Sequence, residues 1–316
     1  MNNDKDYYKT TPLEIATRGQ ARKNPEEKWD LIRKEQGNTK KYSLEELKRD
    51  IFPNIIGHDK IKEAILMQYV LNKPFNVLVV GNPLIGKSEF IKAIKLLDSN
   101  NLKEISLNNN SSLITTENYC LIDKFHNFNP EINLNEFIID KQIFATSNFL
   151  YGRYDPYGPV LKQLEDKTLF IKGEPFELIF ILKEDYDENT QGLILNQIFK
   201  NYEDKNNNIN EEIIKYLNSL KKLEVTFPEE ILDKIRKYYF ESKSKFTLEL
   251  AEGIEIKGIS FGDINLILKY TEAYAKLKNK SIVGEEELEQ AIKLFEKCHA
   301  DLMFKPNYDE ENNNEK

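Results

Sequence analysis

A chain of 316 residues, 40% of them hydrophobic and 31% charged, is long enough for one large domain or two modest ones, each with its own core. The formal net charge of −8 excludes a bulk basic field that would hold DNA through its phosphates. The longest apolar runs, FNVLVV and FELIFIL, are far too short to span a bilayer. The start, MNNDKDYYKTTP, carries charge where a signal peptide needs an apolar centre. An intracellular, cytoplasmic protein without a membrane partner is therefore expected. Cys120 and Cys298 lie far apart and read as reduced core thiols. His58, His126 and His299 show no metal-ligand spacing.

Residues 1–44 are polar and weakly periodic, and read as an extension with one short helix around Trp29. From Ser43 the signals sharpen: SLEEL is a helix start with a capping serine and an acid three residues on. GHDKIKEAILMQYVL then predicts an amphipathic helix entered through Gly57. Next comes a buried strand, NVLVV, followed by GNPLIGKS and the helical SEFIKAIKLL. A glycine loop between strand and helix is the context that makes G-x-x-x-x-G-K-S a phosphate-binding loop. Its Gly81 and Gly86 let backbone N–H groups curl around phosphate oxygens, with Asn82 and Pro83 in the same loop, and the helix start adds its positive dipole. Lys87 would reach the β- and γ-phosphates of ATP, and Ser88 would ligate Mg.

Three more apolar segments, YCLID, KQIFATSN and FELIFIL, predict strands alternating with helices or loops, hence an α/β fold with a parallel sheet and helices on both faces. YCLID ends in Asp123, a second candidate Mg ligand. EDKNNNIN (203–210) reads as a linker. Beyond it IIKYLNSL, PEEILDKIRKYYFES, DINLILKYTEAYAKL and EEELEQAIKLFEKCHADL are helical. In the last of these Leu288, Ala291, Ile292, Phe295, Cys298 and Leu302 share one face for burial. The expected organisation is an extension (1–44), a P-loop ATPase-like core (45–202), a helical lid (203–304) and an acidic tail without fixed structure (305–316). The lysine clusters KRD, KIRK and KLKNK, interleaved with acids, read as solvated helix faces.

Taken together, several stretches resemble the ATPase region of the minichromosome maintenance (MCM) replicative helicases. FPNIIGHDKIKEAIL is similar to the start of that family's AAA+ module, GNPLIGKS to its Walker A loop and CLIDKF to its Walker B strand. IFATSNFLYGRYDPY resembles the sensor 1 strand and the segment after it. PFELIFILKEDYDE resembles the strand that follows the arginine finger, and SFGDINLILKYTEAYAKL the sensor 2 helix. The resemblance implies an AAA+ P-loop core with a small helical lid, and ATP and Mg as cofactors.

On that resemblance the chain departs at the positions of the chemistry. Lys124 stands where the family has the glutamate base, a group worth about 10²- to 10⁴-fold, and an ammonium accepts no proton from water. It is better suited to hold a γ-phosphate or to pair with Asp123. The arginine finger, worth about 10³- to 10⁵-fold in related phosphoryl transfer, aligns at Pro175, and the sensor 2 arginine at Gly262. Glu117 and Glu131 flank the Walker B strand as substitute bases, neither at the usual offset. Asn148 is either the sensor 1 residue that orients water or a turn former at a strand end. Arg153 either serves a neighbouring subunit or, the reading favoured here, buttresses Asp155. His58 either lines an adenine pocket or faces solvent at a turn. The intervals from Ser88 to Asp123 and from Asp123 to Asn148 leave no room for the family's two DNA-gripping loops. The amino-terminal DNA-binding domain is also expected to be missing.

The reading that follows is a degenerate MCM-like AAA+ protein that binds ATP or ADP and is not a helicase on its own. It would act as an accessory or regulatory module on an MCM subunit or another replication factor, with direct DNA binding weak or absent. The alternative is an active ATPase subunit of a mixed MCM-type ring whose partner protomers complete the site.

Overall fold

The computed structural model describes residues 40–71, 73–97, 102–105, 119–127, 141–158, 160–164, 176–183, 187–203, 209–245 and 259–303. The chain divides into a unit Met1–Lys41, of which only Lys40 and Lys41 are described, and a second unit, Tyr42–Lys316, which contains every element named below. Trp29, the linker at 204–208, the tail from 304, Glu117, Glu131 and Pro175 lie outside the described residues.

Helix α1 (Leu44–Ile51) begins as its sequence dictates: Ser43 accepts from the Glu46 amide while the Glu46 carboxylate accepts from the Ser43 amide, satisfying two helix-end donors at once. Helix α2 (Asp59–Val70) follows Gly57 and His58, both at positive φ (68° and 57°). The expectation of an amphipathic α2 is corrected: Ile61–Val70 is buried all round, Lys62, Glu63 and Gln68 included. The sheet lies on one side of α2, and α1 and two later helices take the others. No side remains for water.

Among the described residues the sheet has five strands, β1 (Val77–Gly81), β2 (Leu102–Ile105), β3 (Tyr119–Ile122), β4 (Gln142–Ser147) and β5 (Leu178–Leu182), in the order β2-β3-β4-β1-β5. Every pairing is parallel, as crossover connections require. Helix α3 (Lys87–Leu97) follows β1 directly. Strand β2 is missing from the sequence reading, because LKEI is a four-residue edge strand with two charges and no continuous apolar run. The period of two sends side chains to opposite faces. Val77, Val79, Leu121, Phe144 and Phe180 join the core under α2 and α3, whereas Leu78, Val80, Cys120, Ile122 and Ala145 join a smaller one. Among the described residues that second face carries a 3-10 turn (Phe125–Asn127) and Leu164, at the end of the single-turn α4 (Val160–Gln163).

Helix α5 (Glu188–Glu203) is largely exposed. Helices α6 (Glu211–Lys221), α7 (Glu229–Lys245), α8 (Phe261–Leu277) and α9 (Glu285–Met303) follow. Leu288, Ala291, Phe295 and Cys298 are buried along α9, the face its spacing predicts. Burial pushes the Cys298 thiol up to about 12, and both cysteines are buried thiols outside any disulfide. No helix of the described residues is long and apolar enough to cross a membrane.

Helix α8 is bonded to the rest by polar groups. The Tyr274 hydroxyl donates to buried Glu63 on α2 (2.7 Å), which also accepts from Lys48 (3.3 Å) and Lys60 (2.8 Å). Lys269 reaches Glu177 and the Pro74 carbonyl (both 2.9 Å), and Tyr270 donates to the Glu177 carbonyl (2.9 Å). The view of KRD and KLKNK as wholly solvated is corrected here, since Lys48 and Lys276 are 5% and 3% exposed. Burial pulls the Lys48 ammonium down, but bonds from Glu45 and Glu63 outweigh it and its pKa lies above the ordinary value. Lys276, held by the Val70 and Lys221 carbonyls, is lowered by burial against the opposing pull of Glu272.

Candidate nucleotide-binding site

The candidate residues converge at the carboxyl ends of β1, β3 and β4, the edge where open α/β sheets take their ligands. Gly81 ends β1. A Cβ there would collide with Ile85 Cδ1 and lie 2.8 Å from Leu182 Cβ, so the close approach of β5 demands a glycine. Gly86 has open space around it but a φ of +86°, which only glycine adopts without strain. Leu84 stands between them at φ +70°, with its side chain in solvent.

Lys87, the first residue of α3, is buried, and its ammonium donates to the carbonyls of Gly81 (2.8 Å) and Asn82 (2.5 Å). The cation thus lies inside the loop. The Asn82 side chain accepts from the Tyr154 amide at 2.6 Å, a bond that joins the loop to the GRYD segment after β4.

Asp123 follows β3 directly, with its two carboxylate oxygens in different company. One accepts from the Thr146 hydroxyl at 2.5 Å, and the other lies 3.4 Å from the Ser88 hydroxyl. Two oxygen donors this close, one anionic, fit a hard cation such as Mg²⁺, which binds through one or two protein oxygens plus water and phosphate. The glycine cradle and the helix start fit the phosphates themselves.

Lys124 comes next, at φ +58°, and its amide donates to the same Thr146 hydroxyl at 3.1 Å. Its side chain is exposed and, among the described residues, makes no ion pair. Of the two expectations for Lys124, the pairing with Asp123 is not formed.

Asn148 lies one residue past β4 and is half-buried at the same edge. The favoured buttress from Arg153 to Asp155 is corrected. Arg153 is exposed and unengaged among the described residues. Asp155 is instead held by Gln163, whose side-chain oxygen accepts from the Asp155 amide (2.6 Å) and whose nitrogen donates to the Asp155 carbonyl (2.7 Å). Gln163 was missed because its partners are backbone groups and leave no sequence spacing. The half-buried His58 lies edge-on to Phe90 of α3 with ring centroids 6.1 Å apart, and burial lowers its pKa. This corrects the reading of a solvent-facing turn. Gly262, exposed in the first turn of α8, brings no charge.

The family model described as the MCM P-loop domain matches residues 31–117, a span that takes in α1, α2, the glycine loop and α3. Over that span the chain is similar to the MCM P-loop domain. An MCM-type protein from Methanocaldococcus jannaschii, described as uncharacterized, is 24% identical over 83% of this chain and 43% of its own length. The DNA replication licensing factor mcm7 of Xenopus tropicalis is 19% identical over 82% of the chain and 43% of its own length. For the DNA replication licensing factor Mcm6 of Drosophila melanogaster the values are 20%, 78% and 37%. The chain spans less than half the length of the MCM relatives it matches. The MCM-model match stops before Asp123, so β3, Asp123 and Lys124 fall outside it.

Proposed function

We propose that this chain is an MCM-like AAA+ protein that binds ATP or ADP with Mg²⁺ but hydrolyses ATP poorly or not at all by itself. It would serve DNA replication as an accessory or regulatory module, docking on an MCM subunit or another replication factor according to the nucleotide it holds. One observation carries the reading: a complete phosphate cradle with Ser88 and Asp123 facing each other, followed at once by an exposed lysine. Phosphate would draw the Lys87 ammonium from the loop carbonyls. Asn82 would pass that change to Tyr154 and the exposed rings of Tyr151 and Tyr157. Helix α8, bonded to α2 and to the amino-terminal edge of the sheet, would stay in place. Weak or absent DNA binding accords with the burial of Lys48 and Lys276 and the net charge of −8.

Calorimetric titration with Mg·ATP, run beside phosphate release, tests the proposal. Binding that is lost in Lys87→Ala, with no phosphate released, is the expected result. Turnover at about 1 s⁻¹ or faster, the range of working enzymes, would overturn it. Arg153, exposed and unengaged among the described residues, favours one second reading, an active subunit of a mixed ring in which partner protomers complete the chemistry. Hydrolysis stimulated on mixing with an MCM subunit, and lost in Arg153→Ala, would select that reading.

A further inference from the structure

Among the residues at the carboxyl edge of the sheet, Thr146 has no part in the reading above, yet two of its neighbours do. It is fully buried on β4. Its hydroxyl has one proton and two lone pairs. The Lys124 amide 3.1 Å away can only donate, so it takes a lone pair. A carboxylate oxygen of Asp123 at 2.5 Å can only accept, so it takes the proton. The direction of the hydroxyl is thereby determined, and the β-branched side chain allows few rotamers to change it.

We propose that Thr146 is the positioning residue of this metal–nucleotide site: it holds the Asp123 carboxylate toward Ser88 for Mg²⁺ and holds Lys124 in the left-handed turn that aims its side chain away. The inference rests on the nucleotide-binding reading. An aspartate at a strand end otherwise turns about two bonds, and a charge-assisted hydrogen bond from a buried hydroxyl removes that freedom. The Thr146 bond occupies one oxygen and leaves the other on the Ser88 side, 3.4 Å from that hydroxyl. The same contact explains why a lysine beside Asp123 does not neutralise it. Fixed at φ +58°, residue 124 projects into solvent whatever side chain it bears.

The test compares wild type, Thr146→Val and Thr146→Ser, the first variant isosteric without the hydroxyl and the second retaining it. ADP affinity is measured by calorimetry with Mg²⁺ and with EDTA, and exchange of the Lys124 amide by NMR without nucleotide. The proposal expects Thr146→Val to lose about 10-fold or more of the Mg²⁺ enhancement, the usual effect of removing a group that orients a metal ligand. Its Mg-free affinity should stay that of the wild type, the Lys124 amide should exchange about 10-fold faster, and Thr146→Ser should restore both. A merely structural threonine would weaken both affinities together. An unchanged Mg²⁺ enhancement in Thr146→Val overturns this inference and leaves the proposed function standing. A wild type that binds no nucleotide, or binds it equally with EDTA, overturns both.

Discussion

The two edges of the sheet are built from the same kinds of polar residue and treat them in opposite ways. At the amino-terminal edge every bond is closed: Gln68, fully buried on α2, donates to the carbonyls of Phe75 (2.5 Å) and Ile143 (2.9 Å) and accepts from the Tyr119 hydroxyl (2.7 Å). Asn76 accepts from the Ile143 amide, and Gln142 donates to the carbonyls of Leu71 and Lys73. At the carboxyl edge Lys87 bonds the carbonyls of its own loop, Asp123 and Ser88 meet at a long 3.4 Å, and Leu84, Gly86 and Lys124 all have positive φ. Saturated groups make a scaffold. Groups held in weak or local bonds can be recruited by a ligand.

Substitutions should separate the two edges. The largest stability loss is expected at the closed one: Gln68→Leu removes three buried hydrogen bonds at once, to the Phe75 and Ile143 carbonyls and from the Tyr119 hydroxyl, at about 1–3 kcal/mol for each buried group deprived of its bond. Urea unfolding should record a loss of at least about 3 kcal/mol, with nucleotide affinity unchanged wherever the protein is still folded. At the open edge Gly81→Ala forces a methyl against Ile85 and Leu182 and should cost about 1–3 kcal/mol, together with nucleotide binding. Loss of binding alone would mean that β5 yields to the methyl. His58, lowered by burial, makes folding prefer the neutral ring. Its stabilisation is complete above the unfolded-state value near 6.5 and is lost as pH falls through the lower folded value. Thermal melts between pH 7.5 and 5 should show that loss, and His58→Asn, which tolerates the left-handed backbone, should flatten it. The smallest effect belongs to Lys124→Gly, which relieves the positive φ and should stabilise by about 0.5 kcal/mol in the same melts.

Local signals carried much of this protein. The glycine spacing of the phosphate loop, the Ser43 capping box and the runs NVLVV, YCLID, KQIFATSN and FELIFIL depend on neighbours in the chain, and each appears in the structure within a residue or two of its sequence position. The tertiary structure decided what depends on distant residues. Strand β2 exists because β3 offers it hydrogen bonds, not because LKEI is a strong strand former. Helix α2 is buried on its polar side because α1, α6 and α8 close around it. The position of Lys124 just after an apolar strand was legible, but its left-handed backbone was not. Its amide bonds a hydroxyl on β4, twenty-two residues away along the chain, and no spacing in a sequence records where such a bond between distant residues will form.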